Sequence, residues 1–375
     1  MLLPSRSREF LRELQNVKNN PELLPRGQFN NQNRDPRGAV GGRTKDFEWI
    51  RDGLDALRSK NPELLEVCEK INCPGLRDPK KCTPAHEWTA LKLLFLAKYV
   101  PFYTKVIGER YFLSRRNPML FIDLFAGCGL NRLTEDLYFP GSTLIAARLA
   151  KIRFTKIVAV ELDPVKVKAL RARLRLLGLQ DLVDVLRGDC NKMTKGIEER
   201  YLVPGSHHLL FVDPPGYQIY WRSLEPLLAH PGDLIMLLQT RYIWKDIHKS
   251  PPPEALDRFF GTPDWRAQIS REDDVVRFYL GRIGRFGGAN VRRTVGEAIA
   301  INLGRQDLYY HILFAVRKTS EGTKWIDYVR AIKAKIERAT VEWVRKAVDA
   351  LQGNVKSLDE FLEEEPYGGD LTEYF

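Results

Sequence analysis

Cysteine and methionine are scarce, at five and four in 375 residues. So few thiols argue against a disulfide framework and leave free thiols or metal ligands. No apolar run reaches the roughly 18 residues of a membrane span, and the most apolar stretch, residues 91–100, is broken by Lys92 and Lys98. The opening residues carry arginine and glutamate with no apolar stretch behind them, so no secretory signal is expected and the chain reads as cytoplasmic. Neither a P-loop nor an internal repeat is present, which argues against a phosphate-cradling nucleotide site and a solenoid. A hydrophobic content of 44% is ordinary for a chain with a sizeable core and excludes wholesale disorder.

Charge is unevenly spread. The net charge is +11, but residues 357–375 hold seven acids and no Lys or Arg, so setting those seven aside leaves +18 on the first 356 residues. A body that basic attracts a polyanion if its charges cluster on one face; a merely charge-rich soluble surface is the competing reading. The acidic tail fits either a solvated end or a segment folded over the basic face.

Residues 25–45 are dense in Pro, Gly, Asn and Arg with no apolar periodicity, and read as a mobile basic loop. A short helix over 47–57, a cysteine-bearing stretch over 68–82 and a helix over 89–109 follow. From Met119, β-type runs alternate with helical ones: MLFIDLF, GSTLIAARLAKI, KIVAVEL, PVKVKALRARLRLLG, LVDVLRGD, LLFVDPP, SLEPLLAH and DLIMLLQT. Such alternation implies parallel strands with helices on both faces. The runs EAIAINL and YYHILFAV, joined by GRQDL, read as a hairpin. The expected fold is therefore α/β: a seven-stranded, mostly parallel Rossmann-like sheet of the methyltransferase type closing on a C-terminal antiparallel hairpin. Residues 1–85 form an N-terminal helical and loop extension, 86–320 the sheet domain, 321–356 a C-terminal helix and 357–375 the tail. Within that helix, Val329, Ile332, Ile336, Val344, Val348 and Leu351 share one stripe over 325–351.

In such a sheet, ligands bind beyond the carboxyl ends of the strands. The first strand ends in DLFAGCG, where Asp123, Phe125, Gly127 and Gly129 are candidate ligand contacts, the glycines because backbone without Cβ approaches a ligand closely. A dinucleotide fingerprint is absent: Arg132 stands at its third glycine, and Glu161, ending the second strand, lies 32 residues beyond Gly129 instead of about 20. Glu161 suits the two hydroxyls of a ribose. Asp163, followed by Pro164, suits a helix N-cap. Asp189 and the Cys190 N–H, ending the third strand, suit an adenine. Ser142 or Thr143 is expected to cap the helix after the inserted loop 130–140, with its N–H groups facing a carboxylate. These tips describe a pocket for S-adenosylmethionine rather than for a phosphate-rich nucleotide.

The fourth strand ends in DPPGY. Two prolines stiffen the chain and expose the Asp213 carboxylate and the Pro214 carbonyl, acceptors suited to a target NH2. Tyr217, Tyr220 and Trp221 are candidates for stacking on an extruded base. Cytosine-C5 chemistry needs a thiol nucleophile, and no cysteine lies near Pro215, so nitrogen is the expected acceptor atom. Residues 277–293 interleave Arg277, Arg282, Arg285, Arg292 and Arg293 with Phe278, Tyr279 and Phe286; this suits RNA rather than DNA, against a plain strand and loop with a solvated face.

With DLFAGCG, GSTLIAARLA, VAVELDP, RGDC and FVDPPGY in this order, followed by YYHILFAVRK, residues 86–330 resemble the three-Cys-motif partner protein family of S-adenosylmethionine-dependent methyltransferases. The resemblance implies that Asp123, Gly127, Gly129, Glu161 and Asp189 contact cofactor, that Asp213 faces substrate, and that a protein partner bearing three cysteines exists. One departure is the D-P-P-G sequence, since the family more often reads D-P-F-G and amino-methyltransferases D-P-P-Y. The expected activity is transfer of a methyl group to a nitrogen of a nucleic-acid base. Its rivals are a non-catalytic nucleic-acid-binding partner protein that keeps the fold, and a methyltransferase of a protein or small amine.

Cys68, Cys73, Cys82 and His86 form C-x4-C-x8-C-x3-H, four ligands suited to tetrahedral zinc at an unusual spacing. Unligated thiols and a disulfide are the alternatives. Elemental analysis of the purified chain decides: a zinc site returns about one equivalent, and only trace metal removes it.

Overall fold

The computed structural model describes residues 36–58, 64, 67, 87–109, 117–134, 137–286, 293–301, 310–317, 324–339 and 341–353. The strands form where apolar residues run almost without interruption. β1 (Met119–Asp123), β6 (His207–Val212) and β7 (Gly232–Leu238) are buried at every position, as strands covered on both faces must be. β4 (Lys156–Glu161) is buried between its ends, and β5 (Val183–Arg187), at the sheet margin, alternates. With β8 (Arg293–Ile301) and β9 (Tyr310–Arg317), the strand order is β5-β4-β1-β6-β7-β9-β8. The first five pair in parallel; β9 runs antiparallel to both β7 and β8. This is the expected Rossmann-like methyltransferase topology. A small hairpin, β2 (Leu130–Arg132) with β3 (Tyr138–Pro140), lies within the inserted loop.

The twofold alternation of a strand sends successive side chains into two cores. Met119, Phe121, Ile157, Ala159, Leu209, Phe211, Ile235 and Leu237 enter one. Leu120, Ile122, Val158, Val160, Leu210, Val212, Leu234 and Met236 enter the other. The first core is covered by α1 (Pro36–Leu57), α2 (Glu87–Ile107), α3 (Ser142–Leu149), α4 (Pro164–Leu176), α11 (Lys324–Arg338) and α12 (Val341–Leu351). The second is covered by α5 (Cys190–Tyr201), α6 (Trp221–Leu228), α7 (Thr240–Ile247), α8 (Ala255–Phe260), α9 (Trp265–Gln268) and α10 (Glu272–Arg285).

Helix α2 lies across the sheet with a direction fixed by three hydrogen bonds. Tyr103 Oη meets His207 Nδ1 at the start of β6 (2.8 Å), and Tyr99 Oη donates to Asp233 Oδ2 at the start of β7 (2.6 Å). At the other end, the Tyr310 hydroxyl donates to the Trp88 carbonyl (2.6 Å). Tyr310 pairs with Ile301 where β9 passes the carboxyl end of β7, so α2 runs antiparallel to the parallel strands and brings its first turns to their tips.

Three expectations are corrected. Part of the loop expected over 25–45 is helical, because α1 starts at Pro36, a residue suited to a first turn, and is held by Phe47, Ile50, Leu54 and Leu57 in the first core. The single helix expected over 325–351 is two, with Ala339 N–H bonded to the Ile336 carbonyl between them (3.0 Å); the break lets α12 lie against α1. Much of the arginine-rich stretch 277–293 is helix α10. Its first turn carries Glu272, Asp273 and Asp274, and Asp274 accepts the N–H groups of Ser270 and Arg271. Val275, Val276, Phe278, Tyr279 and Ile283 bury its inner side, so Phe278 and Tyr279 are core residues rather than platforms for bases.

Candidate active site at the strand tips

Asp123 ends β1 with no exposed surface. Its Oδ2 accepts from Ser142 Oγ (2.6 Å) and Thr143 Oγ1 (2.9 Å), and its Oδ1 from the N–H of half-buried Phe125 (3.2 Å). Burial pushes its carboxyl up to about 6, against the pull of these hydrogen bonds. Asp123, expected to contact a ligand, has both carboxylate oxygens engaged within the protein and fastens the first turn of α3 to the end of β1. For the same reason neither hydroxyl caps α3, whose N-cap is Gly141.

The two glycines that follow have different duties. Both have positive φ, 64° at Gly127 and 84° at Gly129. A Cβ on Gly129 would meet Leu170 Cδ1 at 2.8 Å, and its carbonyl accepts from Gly141 N (2.8 Å), so this glycine serves packing. A Cβ on Gly127 would meet nothing within 4 Å, so this glycine borders open space. Between them, the Cys128 carbonyl accepts from the guanidinium of fully buried Arg173 (2.5 Å), whose Nε donates to the Leu64 carbonyl (3.0 Å).

Glu161 faces this loop from the tip of β4. Oε2 accepts the Gly127 N–H (2.9 Å) and Oε1 the Asp163 N–H (2.8 Å), and the residue is half-buried. Leu162, next in the chain, is 67% exposed, an apolar surface that the sequence reading passed over. Asp163 caps α4 through the Val165 N–H (2.7 Å), as its sequence context predicts. Asp189 caps α5 through the Asn191 N–H (2.9 Å). Burial pushes the Cys190 thiol up to about 12, with Asp189 and Glu161 adding to the effect, and the Gly188 N–H donates to the Glu161 carbonyl (3.0 Å), which joins the tips of β4 and β5. Asn191, also missed in the sequence, ties the next loop down: its Nδ2 donates to the Gln218 carbonyl (2.7 Å) and its Oδ1 accepts the Tyr220 N–H (2.8 Å).

The tip of β6 differs most from expectation. Both acceptors proposed for a substrate amine are engaged by the protein. Asp213 is paired with Lys92 of α2, and the Pro214 carbonyl accepts from Gln239 Nε2 at the end of β7 (3.3 Å). The pair is largely enclosed, with side-chain exposures of 16% for Lys92 and 22% for Asp213. Lys92 carried a readable signal: a cation inside the most apolar run of the chain needs a partner. The partner itself, 121 residues away, was not readable. Tyr217 donates its hydroxyl to Asp246 (2.6 Å) and stacks with Tyr242 at 5.6 Å between centroids; Tyr242 is 46% exposed. Burial and then Asp246 raise the Tyr217 phenol, which keeps it protonated. Trp221 is not a stacking platform: it is 2% exposed, with Nε1 donating to Glu225 Oε1 (2.8 Å). Tyr220, half-buried, lies under the Arg258 guanidinium at 5.1 Å.

Arg282 and Arg285 line a cleft of about 290 Å³ together with Trp221, Thr262, Asp264, Gln268, Phe278 and Phe286. The Arg282 guanidinium lies 4.5 Å from the Trp221 ring centroid. Arg293 opens β8. Arg292 lies outside the described residues, as do Cys68, Cys73, Cys82 and His86 of the expected zinc site; among the described residues no cluster suits a metal ion. No described helix is long and apolar enough to cross a membrane.

No protein-family model matches the chain, and no curated protein matches it. The resemblance to three-Cys-motif partner proteins therefore rests on the quoted motifs. Solved structures similar to the chain include the O-methyltransferase from Bacillus cereus in complex with SAH, at 19% identity over 70% of this chain and 94% of that one, with a TM-score of 0.41. The O-methyltransferase TomG from Streptomyces achromogenes, involved in tomaymycin synthesis and solved with SAM, is 15% identical over 70% of this chain and 92% of that one, with a TM-score of 0.37. TrmN from Thermus thermophilus is 14% identical over 60% and 52%, with a TM-score of 0.28. These likenesses are remote, and the fold assignment rests on the strand order itself.

Two predictions follow from the loop geometry. Gly129→Ala should cost about 2–4 kcal/mol, combining positive φ with overpacking against Leu170, whereas Gly127→Ala should cost about 1–2 kcal/mol from φ alone; urea unfolding measures both. The Asp123 carboxyl is raised on folding, so its contribution is complete below the unfolded pKa of about 4 and is lost as pH rises through about 6. Relative to Asp123→Asn, the parent chain should lose about 3 kcal/mol of stability between those limits; parallel curves for the two proteins would refute the assignment.

Proposed function

We propose that the chain is an S-adenosylmethionine-dependent methyltransferase acting on a nitrogen of a nucleic-acid base, in RNA rather than DNA. The observation that carries the cofactor assignment is Glu161 beside the open face of Gly127. An ionised carboxylate has about four lone-pair sites, and Glu161 uses two on backbone N–H groups, leaving acceptors for a pair of ribose hydroxyls. Exposed Leu162 offers apolar surface to an adenine ring, and Asp189 holds a further acceptor near the same place. Bound there, the cofactor supplies an electrophilic methyl group on a sulfonium.

The chain's own task is then positioning. Asp213 and the Pro214 carbonyl accept the two N–H bonds of a substrate amine once Lys92 and Gln239 yield them, and the nitrogen lone pair is left aimed at the methyl group. The nucleic-acid part of the reading is supported by the +18 body and by Arg282 and Arg285, which suit phosphates at the edge of an aromatic cleft.

Calorimetry with S-adenosylmethionine and S-adenosylhomocysteine should give dissociation constants of tens of micromolar or tighter, on the order of 6 kcal/mol or more; no binding refutes the enzyme reading. Glu161→Ala should weaken cofactor about 10- to 100-fold, as loss of charged hydrogen bonds implies. Asp213→Ala should leave cofactor affinity within about threefold, under 1 kcal/mol, and abolish transfer. Labelled methyl should enter cellular RNA in preference to DNA.

A further inference from the structure

The acceptors at the tip of β6 are occupied in a particular way. A substrate amine would donate one N–H to the Asp213 carboxylate and one to the Pro214 carbonyl. The protein fills the first place with the Lys92 ammonium and the second with the Gln239 amide. Lys92 is thus a primary amine in contact with the group proposed to hold the acceptor nitrogen.

Its position is built rather than incidental. The hydrogen bonds of Tyr103 and Tyr99 fix α2 at the amino ends of β6 and β7, and that of Trp88 with Tyr310 fixes it at the carboxyl end of β7. Lys92 lies one turn after Trp88, between these anchors, and so reaches the tip of β6 in a set orientation. Its neighbours Leu91, Leu93, Leu94 and Phe95 are buried, its own side chain is 16% exposed, and Asp213 holds its head. Holding a nucleophile where a reacting group belongs is the principal requirement of methyl transfer.

We propose that Lys92 is a methylation site of the chain itself, modified at Nζ in its own active site when no other acceptor is bound. The inference rests on the methyltransferase reading above. The Lys92 ammonium first gives a proton to the Asp213 carboxylate, which passes it to water. The Nζ lone pair then forms the N–CH3 bond as the C–S bond breaks, its electron pair going to sulfur. The products are protonated N-methyl-lysine and S-adenosylhomocysteine, with no other reactant required. Only the free amine, with its lone pair, attacks the methyl group. Methylation keeps the positive charge, so the pairing with Asp213 and the stability of the fold are retained.

The test uses the full chain, freed of nucleic acid and incubated with methyl-deuterated S-adenosylmethionine alone, with peptide mass spectrometry as the readout. Labelled methyl is expected on Lys92 at about tenfold or more over any other lysine, as a held nucleophile should show over free ones. The thermal midpoint of the modified chain should match that of the unmodified chain. Label at this peptide should vanish in Lys92→Arg, which keeps a cation beside Asp213, and fall in Glu161→Ala. Cofactor binding by calorimetry with no label on Lys92, or with label spread evenly over surface lysines, overturns the proposal and leaves the methyltransferase reading standing. Failure of the cofactor to bind overturns both.

Discussion

A fully buried carboxylate holds the strand tips in place. Asp123 is buried at the end of β1, and the hydroxyls of Ser142 and Thr143 reach it from the start of α3. That clamp closes a loop of about twenty residues on itself. The glycine turn inside it has little freedom left. Buried Arg173 holds the Cys128 carbonyl, Gly141 holds the Gly129 carbonyl, and Glu161 takes the Gly127 N–H. Two anions, a cation and one backbone bond thereby set where Gly127 lies, and the open space in front of it is a consequence.

The acids at the tips divide their labour according to what else each one holds. Asp123 spends its acceptors inside the protein, and Asp163 spends at least one on the first turn of α4. Asp213 is neutralised by Lys92, so the tip of β6 carries a balanced pair instead of a bare anion. Such an enclosed pair gains its Coulomb attraction only against the cost of desolvating both ions, and it reorganises more readily when an incoming polar group can replace either partner. Glu161 combines partial exposure with two backbone donors, the arrangement of a group fixed in position yet still open to a ligand.

Much of the sheet was legible because buried parallel strands write themselves as apolar runs, and because Asp163-Pro164 is a local cap that needs no tertiary context. The antiparallel β8–β9 hairpin was legible for a different reason, two β-type runs separated by a short connection. Helix α10 was misread because arginine, glycine and aromatic residues suggested a loop, although the acids of its first turn and the spacing of Val275, Val276, Tyr279 and Ile283 carry a helical signal. The bonds of Asp123 to Ser142 and Thr143 were illegible for a subtler reason: a strand-tip acid has the same sequence signature whether it faces a ligand or the neighbouring helix. Lys92 with Asp213, and Gln239 with the Pro214 carbonyl, join segments far apart in the chain, and no local pattern encodes such meetings.

Arg173 gives the architecture a further property. Its guanidinium reaches the glycine turn on one side and the Leu64 carbonyl on the other, while Phe47, Ile50, Leu54 and Leu57 of α1 complete the same core as α2. A shortened protein begun near residue 86, where composition alone would cut, would withdraw one of the acceptors from this dry cation and strip an apolar wall from α2. The segment ahead of the sheet is thus a structural brace of the ligand loop, and the smallest fragment able to keep that loop in shape has to reach back through α1.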